Sequence, residues 1–175
     1  LYFAQVDIVG RAFSDSGERT RLFATLDLVV NSLTLIVQLA VFARLGAAIG
    51  ISWMLALMPL VSLAGFLWLG SVPTLAVLIA FGVTRRVGEF AISKPAREEL
   101  FTVVPREQRY KAKNFIDTVV YRGGDALAGW LVGGLRGVGV GLSALSFLAA
   151  PLALGWLALG LWLGRRQERL RRAPV

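Results

Sequence analysis

The sequence predicts an all-α fold, a polytopic bundle of transmembrane helices with about five full spans and the end of a sixth. Of the 175 residues, 56% are hydrophobic and 17% are charged, whereas soluble domains usually have about a quarter of their residues charged. Apolar stretches long enough to cross a bilayer recur along the chain, separated by short segments that contain Gly, Ser and Pro. We therefore interpret residues 1–175 as a single transmembrane domain.

Cysteine and histidine are both absent from the chain. Their absence excludes disulfides, thiol chemistry and zinc sites with Cys or His ligands, and it removes the usual general base near neutral pH. A Gly-x-x-x-x-Gly-Lys-Ser/Thr phosphate-binding loop is also absent. We predict a protein that is not an enzyme and that has no metal or cofactor.

The first two full spans differ in polarity. Residues 1–10 have the composition of the end of an upstream membrane helix, so we expect the chain to be part of a larger protein. A helix is then predicted over about 18–45, with polar residues that recur within about 60° of one another. These residues are Thr20, Asp27, Asn31, Thr34 and Gln38. Residues 46–50 predict a turn, and the apolar span over 51–69 is assigned no chemistry.

The third span is apolar but carries charge near its middle. After a break at 70–73, a central helix is predicted over about 72–99, and it contains Arg85, Arg86 and Glu89. An ionisable side chain at that depth costs several kcal/mol unless it faces a partner or a wet cavity. This helix is therefore the first candidate for a functional site.

Two further spans complete the predicted bundle. Pro95 predicts a bend where the central helix leaves the membrane, and the next helix, over about 106–135, is predicted to be interrupted by the glycine pair 123–124. The last span, 142–163, precedes a basic tail over 165–175.

The net charge of +8 is concentrated in two segments. Five arginines lie within 165–175, and six basic residues lie from Lys94 to Lys113. Basic segments beside apolar spans are typical of cytoplasmic loops and tails. We therefore predict a cytoplasmic C-terminus, a lipid bilayer as partner and no nucleic-acid partner.

Glycines recur at four-residue spacing in the last two spans. They are Gly129, Gly133, Gly137 and Gly141, followed by Gly160 and Gly164. Small residues at this spacing allow helix backbones to approach closely in lipid. A gating hinge is the alternative interpretation.

Three of the predicted spans carry one polar face each, and we expect the helices bearing Asp27, Arg85 and Asp117 to line a common cavity. The candidate solute-binding residues are Arg85, Arg86, Glu89, Arg122, Asp117, Asp125, Asp27, Asn31, Lys111 and Lys113. Paired arginines in a cavity of low dielectric favour an anionic solute, because guanidinium matches the geometry of carboxylate and phosphate.

The central charges also have a structural interpretation. Arg85 and Glu89 are four residues apart, a spacing that allows them to pair on one helical face. Together with Arg86, they would form an ion-pair network with Asp27 or Asp125 that holds the helices together without touching solute.

The charges of the following helix have structural alternatives as well. Lys111 and Lys113 would anchor the end of the helix against anionic lipid headgroups. Arg122 would pair within its own helix, with Asp125 or Thr118.

The stretch YKAKNFIDTVVYRGG, residues 110–124, resembles the nucleotide transporters of the bacterial and plastid ATP/ADP translocase type, distant relatives of the major facilitator superfamily. The matching residues are Lys111, Lys113, Asp117, Arg122 and Gly124, preceded by the charged loop KPAREELFTVVPRE. The resemblance implies the C-terminal half of a twelve-helix carrier in a bacterial inner membrane, partnered by the N-terminal half of the same transporter. It also implies that Lys and Arg side chains engage phosphates. Nucleotide-carrying members have a lysine followed by serine and glycines where this chain has Asp125, so a different solute stays open.

These observations predict a secondary transporter that moves a small anionic solute by alternating access, with ATP or ADP as one candidate. The acids Asp27, Glu89, Asp117 and Asp125 would then be counter-charges or proton-coupling groups. The alternative is a non-transporting scaffold or accessory subunit whose charges only join helices. An intramembrane enzyme acting on lipids ranks third, because only carboxylates and hydroxyls remain as catalytic groups.

Overall fold

The protein is helical in nearly all of the part that the structure describes. This computed structural model describes Gln5, Val9 and residues 15–103 and 105–172. No strand occurs within those residues, so the all-α prediction is confirmed for them. The helix end predicted over 1–10 lies outside the described residues apart from Gln5 and Val9, as do the last three residues of the tail.

Within the residues that the structure describes from Asp15 onwards, seven α-helices follow one another, and three five-residue π-helical turns are inserted between them. The α-helices are α1 (Ser16–Val37), α2 (Ala43–Ser71), α3 (Leu75–Gly88), α4 (Lys94–Leu100), α5 (Arg106–Phe115), α6 (Tyr121–Gly137) and α7 (Leu142–Arg172). The π turns are Gln38–Phe42, Glu89–Ser93 and Ile116–Val120, and a 3₁₀ turn, Phe101–Val103, ends α4.

Short polar signals in the sequence begin two of these helices. The Asp15 carboxylate accepts a hydrogen bond from the backbone N–H of Gly17 at 3.2 Å and caps α1. The Thr74 hydroxyl accepts one from the N–H of Val77 at 3.4 Å and caps α3. Both side chains satisfy donors that have no partner in the first helical turn.

The predicted interruptions are partly wrong. The turn expected at residues 46–50 is reduced to Gly50, whose φ of 73° and ψ of 170° break the helix inside α2. Gly123 and Gly124 do not interrupt their helix, because both lie within regular α6. The helix irregularity there is instead the π turn at Ile116–Val120.

Three stretches are long and apolar enough to cross a membrane, within the residues that were described. They are Ser16–Ala40, Ala48–Ser71 and Leu142–Leu170. The spans predicted over 72–99 and 106–135 are helical, but they are not apolar enough over a sufficient length to be counted. In the first of them, the charges of Arg85, Arg86 and Glu89 interrupt the apolar stretch. Five spans therefore remain a prediction, whereas three are supported by length and composition.

The closest packing in the bundle is between α2 and α7, which run antiparallel. At one end, the Ser52 hydroxyl donates to the Glu168 carboxylate at 2.8 Å. A Cβ atom on Gly164 would overlap the backbone of Ser52, and one on Gly160 would lie 3.1 Å from the carbonyl oxygen of Leu55. The close approach predicted from the spacing of these two glycines is confirmed.

The opposite end of the same helix pair is closed by apolar side chains. Leu69, Val77, Leu78 and Phe81 form a buried cluster. Phe66 meets Phe81 edge to face, with ring centroids 5.2 Å apart, an arrangement that aromatic rings favour. This cluster fixes α3 against α2.

The glycines of α6, and Gly141 after it, behave differently from Gly160 and Gly164. A Cβ atom on Gly133, Gly137 or Gly141 would meet no other atom within 4 Å. The packing predicted from their spacing is therefore not made within the described part of the chain.

We expect Gly164→Ala to lower the free energy of unfolding by about 1–3 kcal/mol, the usual range for overpacking a close contact. Gly155→Ala is the matched control, because nothing lies within 4 Å of its Cβ position on the same helix, and alanine there favours the helix. Thermal unfolding of the detergent-purified protein, followed by circular dichroism, measures both. A Gly164→Ala variant as stable as Gly155→Ala would contradict the close packing of α2 on α7.

Candidate functional site: two polar clefts beside α4

α1 lies against α3 and the π turn Glu89–Ser93, and an open cleft separates it from α4. Asp27 Oδ1 and Arg86 Nη1 form an ion pair at 2.7 Å. The two side chains are 55% and 44% exposed, so solvent screens this pair. Their contact brings together two residues that the sequence predicted to lie near each other.

A ridge made by Phe90, Lys94 and Glu98 separates two clefts. The first cleft lies between this ridge and α1 and encloses about 730 Å³. Its lining comprises Asn31, Thr34, Gln38, Phe90, Lys94, Pro95, Glu98, Glu99 and Thr102. Both apolar and polar groups are present, as in most small-molecule sites.

The second cleft lies on the other side of the ridge, towards α5 and α6. It encloses about 580 Å³. Its lining comprises Glu89, Phe90, Lys94, Arg97, Glu98, Phe101, Lys113, Ile116 and Tyr121. Each of the three π turns thus contributes a residue to one or both clefts, and such turns occur frequently at functional sites.

The π turn before α4 sets which residues face the clefts. Glu89 and Arg97 are eight residues apart and form an ion pair at 2.6 Å. In a regular α-helix, eight residues rotate by about 80° more than two full turns. The extra residue of the π turn removes about 100° of that rotation, which brings Arg97 back over Glu89. The backbone N–H of Lys94, which donates to the carbonyl of Glu89, marks this turn.

Pro95 lies at the start of α4, directly after the π turn. Proline has no N–H to donate and is tolerated in a first helical turn. The chain is therefore helical on both sides of Pro95, where the sequence predicted the helix to bend and leave the membrane.

Ion pairs and one aromatic contact join α4 to the next helices. Lys113 Nζ lies 2.7 and 2.8 Å from the two carboxylate oxygens of Glu98. The Arg97 guanidinium lies over the Tyr121 ring, 5.2 Å from its centroid, within the range of a cation–π interaction. These contacts neutralise Glu98 and Lys113 and hold Arg97 between Glu89 and Tyr121.

Two groups that line the clefts are left without such partners. Lys94 lines both clefts, is exposed, and makes no ion pair with any described residue. Thr34 Oγ1 is buried at the first cleft and has no hydrogen-bond partner in the described part of the chain. A buried hydroxyl without a partner costs about 1–3 kcal/mol.

The structure divides the predicted site residues into three groups. Asn31, Glu89 and Lys113 line the clefts. The residues that do not line either cleft are Asp27, Arg85, Arg86, Lys111, Arg122 and Asp125. The side chain of Asp117 lies outside the described part.

Several expected pairings also differ. Glu89 pairs with Arg97 rather than with Arg85, because the π turn realigns the helix. Lys111 pairs with Glu107 at 2.8 Å on an exposed surface. Arg122 and Asp125 are both exposed and form no ion pair with a described residue.

The prediction missed the ridge, because Phe90, Lys94 and Glu98 were not among the candidate solute-binding residues. Two features of the sequence point to these residues. The charged run KPAREE follows directly after an apolar helix, and Glu89 precedes Arg97 by eight residues. Without knowledge of the π turn, a helical wheel places that acid and arginine on different faces.

Comparison with known proteins finds no matching family model, no matching curated protein and no matching solved structure.

We expect Asp27→Asn to lower the free energy of unfolding by up to about 1 kcal/mol, the upper range for an exposed ion pair. Exchanging the charges in Asp27→Arg/Arg86→Asp should recover most of this loss, because the pair is restored in reverse. The readout is the unfolding temperature and the folded yield of each variant after detergent purification. If the single variant and the exchanged pair both match the unchanged protein, the contact does not hold α1 to α3.

Proposed function

We propose that the chain is part of a secondary transporter for a small anionic solute, which binds at Lys94 between the two clefts. The observation that carries this proposal is the exposed ammonium group of Lys94, which lines both clefts. Arg97 and Lys113 are neutralised by Glu89 and Glu98, whereas Lys94 has no ion-pair partner among the described residues. This ammonium group is free to donate charge-assisted hydrogen bonds to a bound anion.

The size and composition of the clefts support a small-molecule ligand. Their volumes of about 730 and 580 Å³ fall within the usual range for ligand sites, roughly 300–1,000 Å³. Asn31 and Gln38 provide amide groups on one side, and the ring of Phe90 provides an apolar surface on the other.

The proposed architecture is the C-terminal half of a major-facilitator-type transporter with five spans in a bacterial inner membrane. In this arrangement, α3–α4 and α5–α6 also cross the bilayer, and the charges around α4 and Lys113 line the clefts. The N-terminal half of the same transporter would cover α6, whose Gly133 and Gly137 have open space around them. Resemblance of residues 110–124 to ATP/ADP translocases makes a nucleotide one candidate solute.

The proposed orientation has the C-terminus in the cytoplasm. Its support is a contact between the two basic segments, in which Gln167 Nε2 lies 3.5 Å from the carbonyl oxygen of Glu99. The segment 94–113 and the end of α7 therefore meet at the same end of the bundle, as the distribution of positive charge requires.

One set of contacts favours a second function, a membrane scaffold or accessory subunit without transport. Two ion pairs connect separate helices: Asp27–Arg86 joins α1 to α3, and Glu98–Lys113 joins α4 to α5. A third, Glu89–Arg97, spans the π turn between α3 and α4. In this alternative the charges serve only to join helices, and Lys94 faces water or lipid headgroups.

We expect Lys94→Gln to weaken solute binding about tenfold or more, because a charged hydrogen bond contributes about 1.5–3 kcal/mol. Lys111→Gln is the matched control, since Lys111 pairs with Glu107 outside both clefts. The measurement is a thermal-shift screen of the full-length protein against nucleotides, other phosphorylated metabolites and dicarboxylates, since binding raises the unfolding temperature.

The outcomes separate the two functions. Stabilisation by one anion that is lost in Lys94→Gln but kept in Lys111→Gln supports the transporter and identifies its solute. An equal loss in both variants would place the anion elsewhere. If no compound in the screen changes the unfolding temperature, and replacing Arg86 or Arg97 lowers the folded yield, the scaffold is favoured.

A further inference from the structure

The C-terminal part of α7 has two opposite faces of different chemistry. One face carries Gly160, Gly164 and Gln167, all buried against the rest of the bundle. The opposite face carries Trp162 and three exposed arginines. These arginines are Arg165, Arg166 and Arg169. At 100° per residue they lie within about 100° of one another, so they form one basic surface.

This basic surface has no counter-charge among the described residues. None of its three arginines forms an ion pair there, and the nearest acid in sequence, Glu168, accepts a hydrogen bond from Ser52 on another side of the helix. The Arg166 guanidinium lies over the Trp162 ring, 5.5 Å from its centroid. Three guanidinium groups held together in this way attract an anion.

A shallow cavity of about 380 Å³ lies at this surface. Its lining comprises Ala158, Leu161, Trp162, Arg165, Arg166 and Arg169. The cavity is thus apolar towards the start of α7 and basic towards its end.

The apolar side of the cavity continues along the outer face of α7. Leu148, Leu152 and Leu159 are 57%, 75% and 53% exposed, and they belong to a stretch, Leu142–Leu170, that is long and apolar enough to cross a membrane. In a bilayer this face contacts acyl chains, and tryptophan followed by arginine is typical of the boundary between acyl chains and headgroups.

We propose that this surface binds an anionic phospholipid, with its phosphodiester on Arg165, Arg166 and Arg169 and its acyl chains along Leu152 and Leu159. Guanidinium groups bind phosphate oxygens in pairs of parallel hydrogen bonds. A free phosphate would use the arginines but not the apolar face, whereas a phospholipid uses both. The proposal does not depend on which solute, if any, the clefts bind.

The test is a titration of the full-length protein in uncharged detergent with phosphatidylglycerol, phosphatidylcholine or glycerol phosphate. The unfolding temperature of the protein is measured at each concentration. We expect phosphatidylglycerol alone to raise the unfolding temperature. The variant Arg165→Gln/Arg166→Gln/Arg169→Gln should bind phosphatidylglycerol on the order of 100-fold more weakly, since each basic residue contributes to the attraction.

A matched control removes the same charge elsewhere, in Arg21→Gln/Arg44→Gln/Arg106→Gln, where all three arginines are exposed. This control should keep the response to phosphatidylglycerol. An equal response to phosphatidylcholine, or an unchanged response in the first triple variant, would overturn the proposal. A response to glycerol phosphate as strong as that to the lipid would show a phosphate site without lipid.

Native mass spectrometry of the unmodified protein gives a readout that does not depend on any variant. Retention of phosphatidylglycerol in preference to phosphatidylcholine is the expected result. Release of both lipids with equal ease would contradict the proposed site.

Discussion

An ionised side chain within a mostly apolar helix bundle is stable only beside a counter-charge or water, and this requirement governs the arrangement of α1, α3 and α4. Asp27 on α1 meets Arg86 on α3, and Glu89 meets Arg97 across a π turn. The first of these contacts sets the register of α1 along α3. With that register, Asn31 and Thr34 on α1 and Gln38 in the π turn after it line the first cleft, opposite the ridge of Phe90, Lys94 and Glu98.

The helices α2 and α7 provide a separate, tightly packed support. Their backbones meet at Gly160 and Gly164, where no side chain separates them, so many dispersion contacts form over a short distance. The polar clefts are lined by α1, α4 and the segments next to them, and no described residue of α2 or α7 lines either cleft. Close packing and polar lining are therefore carried by different helices, and a ligand in the clefts need not disturb the α2–α7 contact.

Regular helix geometry explains which features could be predicted from the sequence. The polar face of α1 was predictable because α1 is regular through Val37, and the packing of Gly164 followed from its spacing. The positions of Lys94 and Arg97 were not, because the π turn before them shifts every later residue by about 100°. The openness of Gly133 was not predictable either, because glycine spacing indicates a capacity for close packing and does not specify the partner helix.

Cysteine labelling tests whether the clefts beside Lys94 admit water as far as α1. The method applies because the chain contains no cysteine of its own. Asn31→Cys lies in the first cleft, and Leu148→Cys lies on the outer face of α7. The measurement is the rate at which a charged, membrane-impermeant thiol reagent modifies each variant in reconstituted vesicles. We expect that Asn31→Cys reacts and that Leu148→Cys, surrounded by acyl chains, does not. Equal protection of both cysteines would show that the face of α1 is closed to water and would contradict the proposed clefts.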